Sequence, residues 1–265
     1  MKSGTCEVAM TATAAEDTPL VQFTLRLADN ALVLGHRLSE WCGHAPTLEE
    51  DIGLANIALD LIGQARALYT YAGTAEGRGR DEDKLAYLRD APQYRNILLV
   101  EQPNGDFAAT IVRQLLFAAF MAPFWRALSA SKDATLAAIA AKAEKETAYH
   151  LRHAGEWLIR LGDGTEESHR RAQAALDEFW PYSGELFETD QVERALIKTG
   201  IVVDPATLKV EWDRTLDDIL AEATLTRPAA GWMQTGGRSG RHSEHLGYIL
   251  AELQFLQRAY PGASW

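Results

Sequence analysis

Glu144 to Gly164, EKETAYHLRHAGEWLIRLGDG, is the stretch whose reading decides the fold. Leu151, Ala154, Leu158 and Leu161 recur at the i, i+3, i+7, i+10 spacing of a core-facing helical stripe. Glu146, His150, His153 and Trp157 make an adjoining stripe at i, i+4, i+7 and i+11. The segment lacks proline, is rich in good helix formers, and stops at Gly162-Asp163-Gly164, where a residue free to take positive φ can close the last turn. The spacing therefore predicts a long helix, running from Lys132 to Leu161, that carries an acid and two imidazoles along the border of a core.

Working outward, the neighbouring segments read as helices too. Leu20 to Trp41 is apolar over more than one face, with Thr18-Pro19 as cap and first-turn proline, and such a helix belongs inside a bundle. Gly43-His44-Ala45-Pro46 breaks it, and Thr47-Leu48-Glu49-Glu50 then matches a capping box that opens a second helix to about Ala72. Gly73 to Asn104, with Pro92 and Pro103, reads as a surface excursion holding one short helix, Lys84 to Asp90. Asp106 to Arg126 resumes a strongly apolar helix, followed beyond residue 161 by Glu166 to Phe179, Asp190 to Thr199, Ala206 to Ala223 and Ser243 to Tyr260. No β-alternation and no short internal repeat competes, so an all-α bundle with added C-terminal helices is the expected fold, with residues 19–265 as one domain.

A bundle helix bringing Glu and His toward its core invites comparison with ferritin-like carboxylate proteins, in which two helices each supply Glu-x-x-His and two others each a Glu. Here the pattern is incomplete. From Glu146 the i+3 position holds Tyr149, with His150 one residue too far round. From Asp60 the same position holds Gly63. With Glu40 on the first helix and Asp106 opening a later one, the sequence reads as a four-carboxylate frame without its nitrogen ligands: vestigial metal-site positions at Glu40, Asp60, Gly63, Asp106, Glu146, Tyr149 and His150. Buried carboxylates without a metal need cationic or hydrogen-bonding partners, so Lys, Arg or His is expected in that space. A polar core network is the favoured reading over metal ligation by Glu146, His150 and His153.

The balance of 26 basic against 37 acidic residues, formally −11, argues against nucleic acid and anionic membrane surfaces as partners, since both need a positive field. Two cysteines, Cys6 and Cys42, make no disulfide framework or Cys-x-x-Cys site and fit a reducing cytoplasm. Residues 1–18 lack an apolar core behind a basic start and are expected to be a disordered tail, not a secretory signal. The most apolar run, Leu115 to Trp125, contains Pro123 and is shorter than the roughly 20 residues of a membrane span, so none is expected.

Two other clusters carry chemistry. Gly236-Gly237-Arg238-Ser239-Gly240-Arg241 could wrap a phosphate with backbone N–H groups and two guanidiniums, but it has no P-loop or dinucleotide spacing and a packed contact is favoured. His242 and His245, beside Glu244, read as a helix end displaying imidazoles before they read as metal ligands. The aromatic corner Trp180-Pro181-Tyr182 to Phe187 suits packing, or the centre of a protein interface.

Four long stretches then carry a resemblance: Ser39–Arg66, SEWCGHAPTLEEDIGLANIALDLIGQAR; Lys145–Arg171, KETAYHLRHAGEWLIRLGDGTEESHRR; Phe179–Phe187, FWPYSGELF; and Gly236–Trp265, GGRSGRHSEHLGYILAELQFLQRAYPGASW. Together, from about Leu27 to Trp265, they resemble the structural subunits of bacterial phenylacetyl-CoA epoxidases. The resemblance implies a ferritin-like, non-catalytic member of a cytoplasmic hetero-oligomeric oxygenase complex of phenylacetate catabolism. It implies a related catalytic subunit with the di-iron centre, a separate reductase with FAD and iron–sulfur fed by NADPH, and no cofactor in this chain. It transfers no catalytic residue; with it, the Arg238 and Arg241 loop is expected near the partner's CoA site, touching a phosphate. The rival readings are a ferritin-like metal-dependent oxidase or oxygenase active in its own right, and a module that recruits the reductase. A homodimer is open for the lone chain.

Overall fold

The structure is a computed structural model that describes residues 17–263. The expected N-terminal tail thus lies outside the described residues except for Asp17 and Thr18. Among the described residues there are eleven α-helices and no strand. Four long helices dominate: α1 (Pro19–Ser39), α2 (Leu48–Glu76), α5 (Phe107–Leu128) and α6 (Ala134–Gly162). The short α3 (Glu82–Tyr87) and α4 (Leu98–Glu101) lie between the second and third of these, and α7 (Glu166–Phe179), α8 (Gln191–Thr199), α9 (Lys209–Glu222), α10 (Glu244–Leu253) and α11 (Phe255–Ala259) follow.

The helix starts follow from side chains that satisfy free N–H groups. Thr18 accepts from Val21 N at 3.3 Å ahead of Pro19, Asp106 accepts from Ala109 N at 2.9 Å, and Asp133 accepts from Leu136 N at 2.9 Å. Helix α2 ends on Gly77 with φ of 68°, a left-handed cap that favours glycine. Short turns close α1 onto α2 and α5 onto α6 as two tightly packed hairpins, while α2 and α6 touch more lightly across the seam between them. One continuous apolar cluster runs from Val21 to Leu250. This all-α bundle is consistent with the ferritin-like arrangement expected.

Three expectations need correction. Helix α5 continues through Pro123 to Leu128, so it is long and apolar enough to cross a membrane by length and composition. However, 89% of its most apolar window is buried against other helices: α6, α7 and α9 supply the apolar surroundings. Second, the buried seam of α6 is Leu136, Ala140, Ala143, Thr147, His150, Ala154 and Leu158. His150 lies in the core stripe, whereas Leu151 and Leu161 are only half-buried. Third, residues 73–104 are not a surface excursion. Leu85, Tyr94, Leu99 and Val100 are fully buried, drawn in by charge as well as by apolar contact. Asp29 of α1, 0% exposed, accepts from the Arg89 guanidinium, from the Tyr69 hydroxyl at 2.5 Å and from the backbone N–H of Arg95 at 2.7 Å. A buried carboxylate is tolerable only with such partners.

The C-terminal third is attached in the same way. Arg26 of α1 pairs with Glu193 at 2.7 Å and Asp190 at 2.6 Å, which fixes the start of α8 against α1. Glu185, 0% exposed, accepts from the backbone N–H groups of Leu98 at 2.8 Å, Gly236 at 3.2 Å and Arg238 at 3.0 Å.

Candidate functional site

The polar residues that the sequence singles out on α6 meet α2 across the lightly packed seam. Asp60 and Gln64 are one helical turn apart on α2, and Glu146 and His150 one turn apart on α6. They interlock in pairs: His150 Nε2 lies 3.0 Å from Asp60 Oδ2, and Gln64 Nε2 donates to Glu146 Oε2 at 2.9 Å. Lys142 approaches the other Glu146 oxygen at 3.2 Å. Further along, His153 Nε2 is 2.8 Å from Glu50 Oε2. This contact explains why the expected capping box is half made. Thr47 accepts from Glu50 N at 3.4 Å, but the Glu50 carboxylate turns to His153. Histidine, glutamine and lysine thus fill the space in which cationic or hydrogen-bonding partners were expected.

The positions expected to have held imidazole face elsewhere. Tyr149, 37% exposed, lies on the outer side of α6 with Arg152 over its ring, and an atom added at Gly63 would meet nothing within 4 Å. Gly63 lines an open groove with Ala67, Tyr71 and Ile139. The other two expected frame members belong to different contacts. Glu40 binds Arg37 at 2.9 Å and accepts from Asn104 Nδ2 at 2.9 Å. Asp106 caps α5 and lies 3.5 Å from Arg171. Beside them Arg113, fully buried, donates to Gln102 O and Asn104 Oδ1, and burial together with Arg37 pushes its pKa down to about 9 against the pull of Glu40. The four carboxylates therefore do not form one frame. Among the described residues no three His, Cys, Asp or Glu side chains converge as metal ligands would.

The glycine-rich loop does cradle an anion, but it is the chain's own Glu185. Arg238 is committed to Glu193 at 2.7 Å and to the Glu188 carbonyl, so it is not available to a CoA phosphate, and only Arg241 stays exposed. His242 lies 2.8 Å from the buried carboxylate of Glu101, which also accepts from Ser243 N. Sequence reasoning missed Gln64, Glu101 and Glu185, and it read Glu50 only as a capping residue. For Gln64 the signal was present: it sits four residues after Asp60, matching the Glu146–His150 interval, whereas the i+3 spacing of the metal motif points to Gly63 instead.

Two imidazoles pull stability in opposite directions with pH. Burial pushes His150 below the ordinary value, although Asp60 and Glu146 pull upward, so the unfolded chain binds that proton more readily. Its contribution is in place above about pH 6.5 and is lost as pH falls through the lowered folded-state value. Burial also opposes charge on His242, but the hydrogen bond and field of Glu101 outweigh it and raise the value. That contribution is in place below about pH 6.5 and is lost as pH rises through the raised value. In urea midpoints, His150→Gln should flatten the loss between about pH 7 and 5, and His242→Gln the loss between about pH 6 and 8; unchanged slopes would contradict both assignments.

Over residues 1–265 the chain matches the family described as phenylacetic acid catabolic protein, and it belongs to that family. Within it, the chain is 51% identical over 246 residues to the C subunit of the 1,2-phenylacetyl-CoA epoxidase of Escherichia coli (strain K12), covering 93% of this chain and 99% of that protein.

Proposed function

We propose that this chain is the non-catalytic structural subunit of a multicomponent phenylacetyl-CoA epoxidase, stabilising a related di-iron catalytic subunit in phenylacetate degradation. The observation that carries the reading is the closed pairing of Asp60 with His150 and Gln64 with Glu146: the polar groups between α2 and α6 satisfy one another and leave no open ligand set. The outer side of α2, away from that seam, offers a docking face. Leu48, Ile52 and Leu59 stand 69%, 55% and 66% exposed on one side of α2. Apolar side chains grouped on one helical face in this way suit an interface centre. The groove past Gly63 and Ala67 continues the face with small residues, which let a partner backbone approach. The occupant is the catalytic subunit, with the reductase and other subunits completing the complex; the chain itself takes no cofactor.

The test compares this chain alone with the same chain co-expressed with its catalytic partner, measuring iron content and NADPH-dependent, O2-dependent epoxidation of phenylacetyl-CoA with reductase added. Iron-free, inactive protein that is required for the activity of the complex is the expected result. Stoichiometric iron with epoxidation by the lone chain would overturn the proposal in favour of an oxygenase in its own right.

A further inference from the structure

Beside the first turns of α1, a cavity of about 370 Å³ is lined by Gln22, Arg80, Arg89, Gln93, Arg95 and Gln191, with Asp17 at its wall. Its charges do not cancel. Arg89 is matched by Asp29, Arg80 by Glu76, and Arg78 by Asp17. Arg95 is the remaining cation among the described residues of the lining. It is half-buried, its Nη1 donates to the carbonyls of Pro92 and Tyr94 at 2.7 Å each, and its Nε and Nη2 have no partner among the described residues. Burial lowers its pKa, and the nearby Arg89 and Arg26 lower it further against the pull of Asp29.

Amide donors stand on the same wall. The Oε1 of Gln93 is taken by the backbone N–H of Asp90 at 2.8 Å, so its amide nitrogen is left for another partner. Gln191 makes no side-chain hydrogen bond among the described residues and is exposed at the rim. A guanidinium held in place by two carbonyls, with neutral amides beside it and room for more than a single ion, is the donor set that recognises a phosphate oxygen cluster.

We propose that this cavity binds the phosphate group of a small molecule, with Arg95 as the cation and Gln93 and Gln191 as neutral donors. A carboxylate from the chain's own residues 1–16, which include Glu7 and Glu16, is the competing occupant.

The experiment titrates the full-length chain with inorganic phosphate at constant ionic strength, by calorimetry and by thermal shift, with acetate as the comparison anion. Saturable phosphate binding, weakened at least about tenfold by Arg95→Gln and by the rim substitution Gln191→Glu but unchanged by Arg241→Gln, is the expected result. The backbone N–H of Arg95 keeps its bond to Asp29 in the first variant, and the second alters only an exposed side chain, so binding can be read in at least one folded protein. Absence of saturable binding, equal binding by both variants, or equal response to acetate would overturn the proposal. Phosphate binding that appears only in a Glu7→Gln, Glu16→Gln chain would also overturn it, by assigning the cavity to the chain itself.

Discussion

Asp29→Ala is expected to cost about 3–5 kcal/mol of folding stability, because it removes the carboxylate from a buried pair and leaves Arg89 charged with no counterion. Arg89 is 3% exposed and lies between the rings of Tyr94, at 4.3 Å from its centroid, and Tyr69, at 5.4 Å. Burial would push its proton off; the Asp29 field, with the tyrosines, holds the guanidinium charged. The same substitution strands the Tyr69 hydroxyl and the Arg95 amide, each of which donates to Asp29. Urea unfolding at neutral pH measures the loss. A double Asp29→Leu, Arg89→Met chain should recover much of it, since replacing both members of a buried pair with apolar groups removes the stranded charge. A loss below about 1 kcal/mol for the single substitution would mean that the network contributes little to stability.

The second large effect falls on assembly. Ile52→Arg with Leu59→Arg places two cations on the exposed face of α2 and is expected to weaken association with the proposed catalytic partner at least about a hundredfold, roughly 2.7 kcal/mol. Both side chains are already more than half solvated, so the lone chain should keep its unfolding midpoint within about 0.5 kcal/mol. Val210→Arg, on α9 at 79% exposure, serves as a control that leaves association unchanged. Co-purification and sedimentation of the mixed subunits give the answer. An intact complex in the double variant would place the partner on another face without touching the assignment of Asp60 and His150.

Most of the helical framework was legible because its signals are local. Thr18-Pro19, Asp106, Asp133, Thr165 and Asp190 all cap helices through their own side chains, and Glu166–Phe179 has the limits expected of it. What could not be read depends on contacts between distant segments. The stretch from Leu85 to Glu101 has no helical period long enough to announce burial, yet Asp29, Asn30 and Glu185 each receive a backbone N–H from it. On α6 the buried position shifts by one residue, from Leu151 to His150, because apolarity is an incomplete guide to a core that also holds paired polar groups. His150 is buried despite its polarity because Asp60 meets it from α2. The candidate site was therefore half legible: its residues were named, but the partner of each was settled by how two hairpins face one another.

The Glu185 carboxylate has a consequence for how the molecule opens. Its N–H donors come from two segments far apart in the chain, Leu98 on one side and Gly236 with Arg238 on the other, which also touch through the close approach of Gly237 to the backbone of Asn96 and Leu98. Water cannot reach one of these amides without also exposing a charge that the other two are holding, so the two segments lose hydrogen-exchange protection together. A loop near residue 98 and another near residue 237 thus behave as one cooperative unit of breathing, joined by a side chain that belongs to neither.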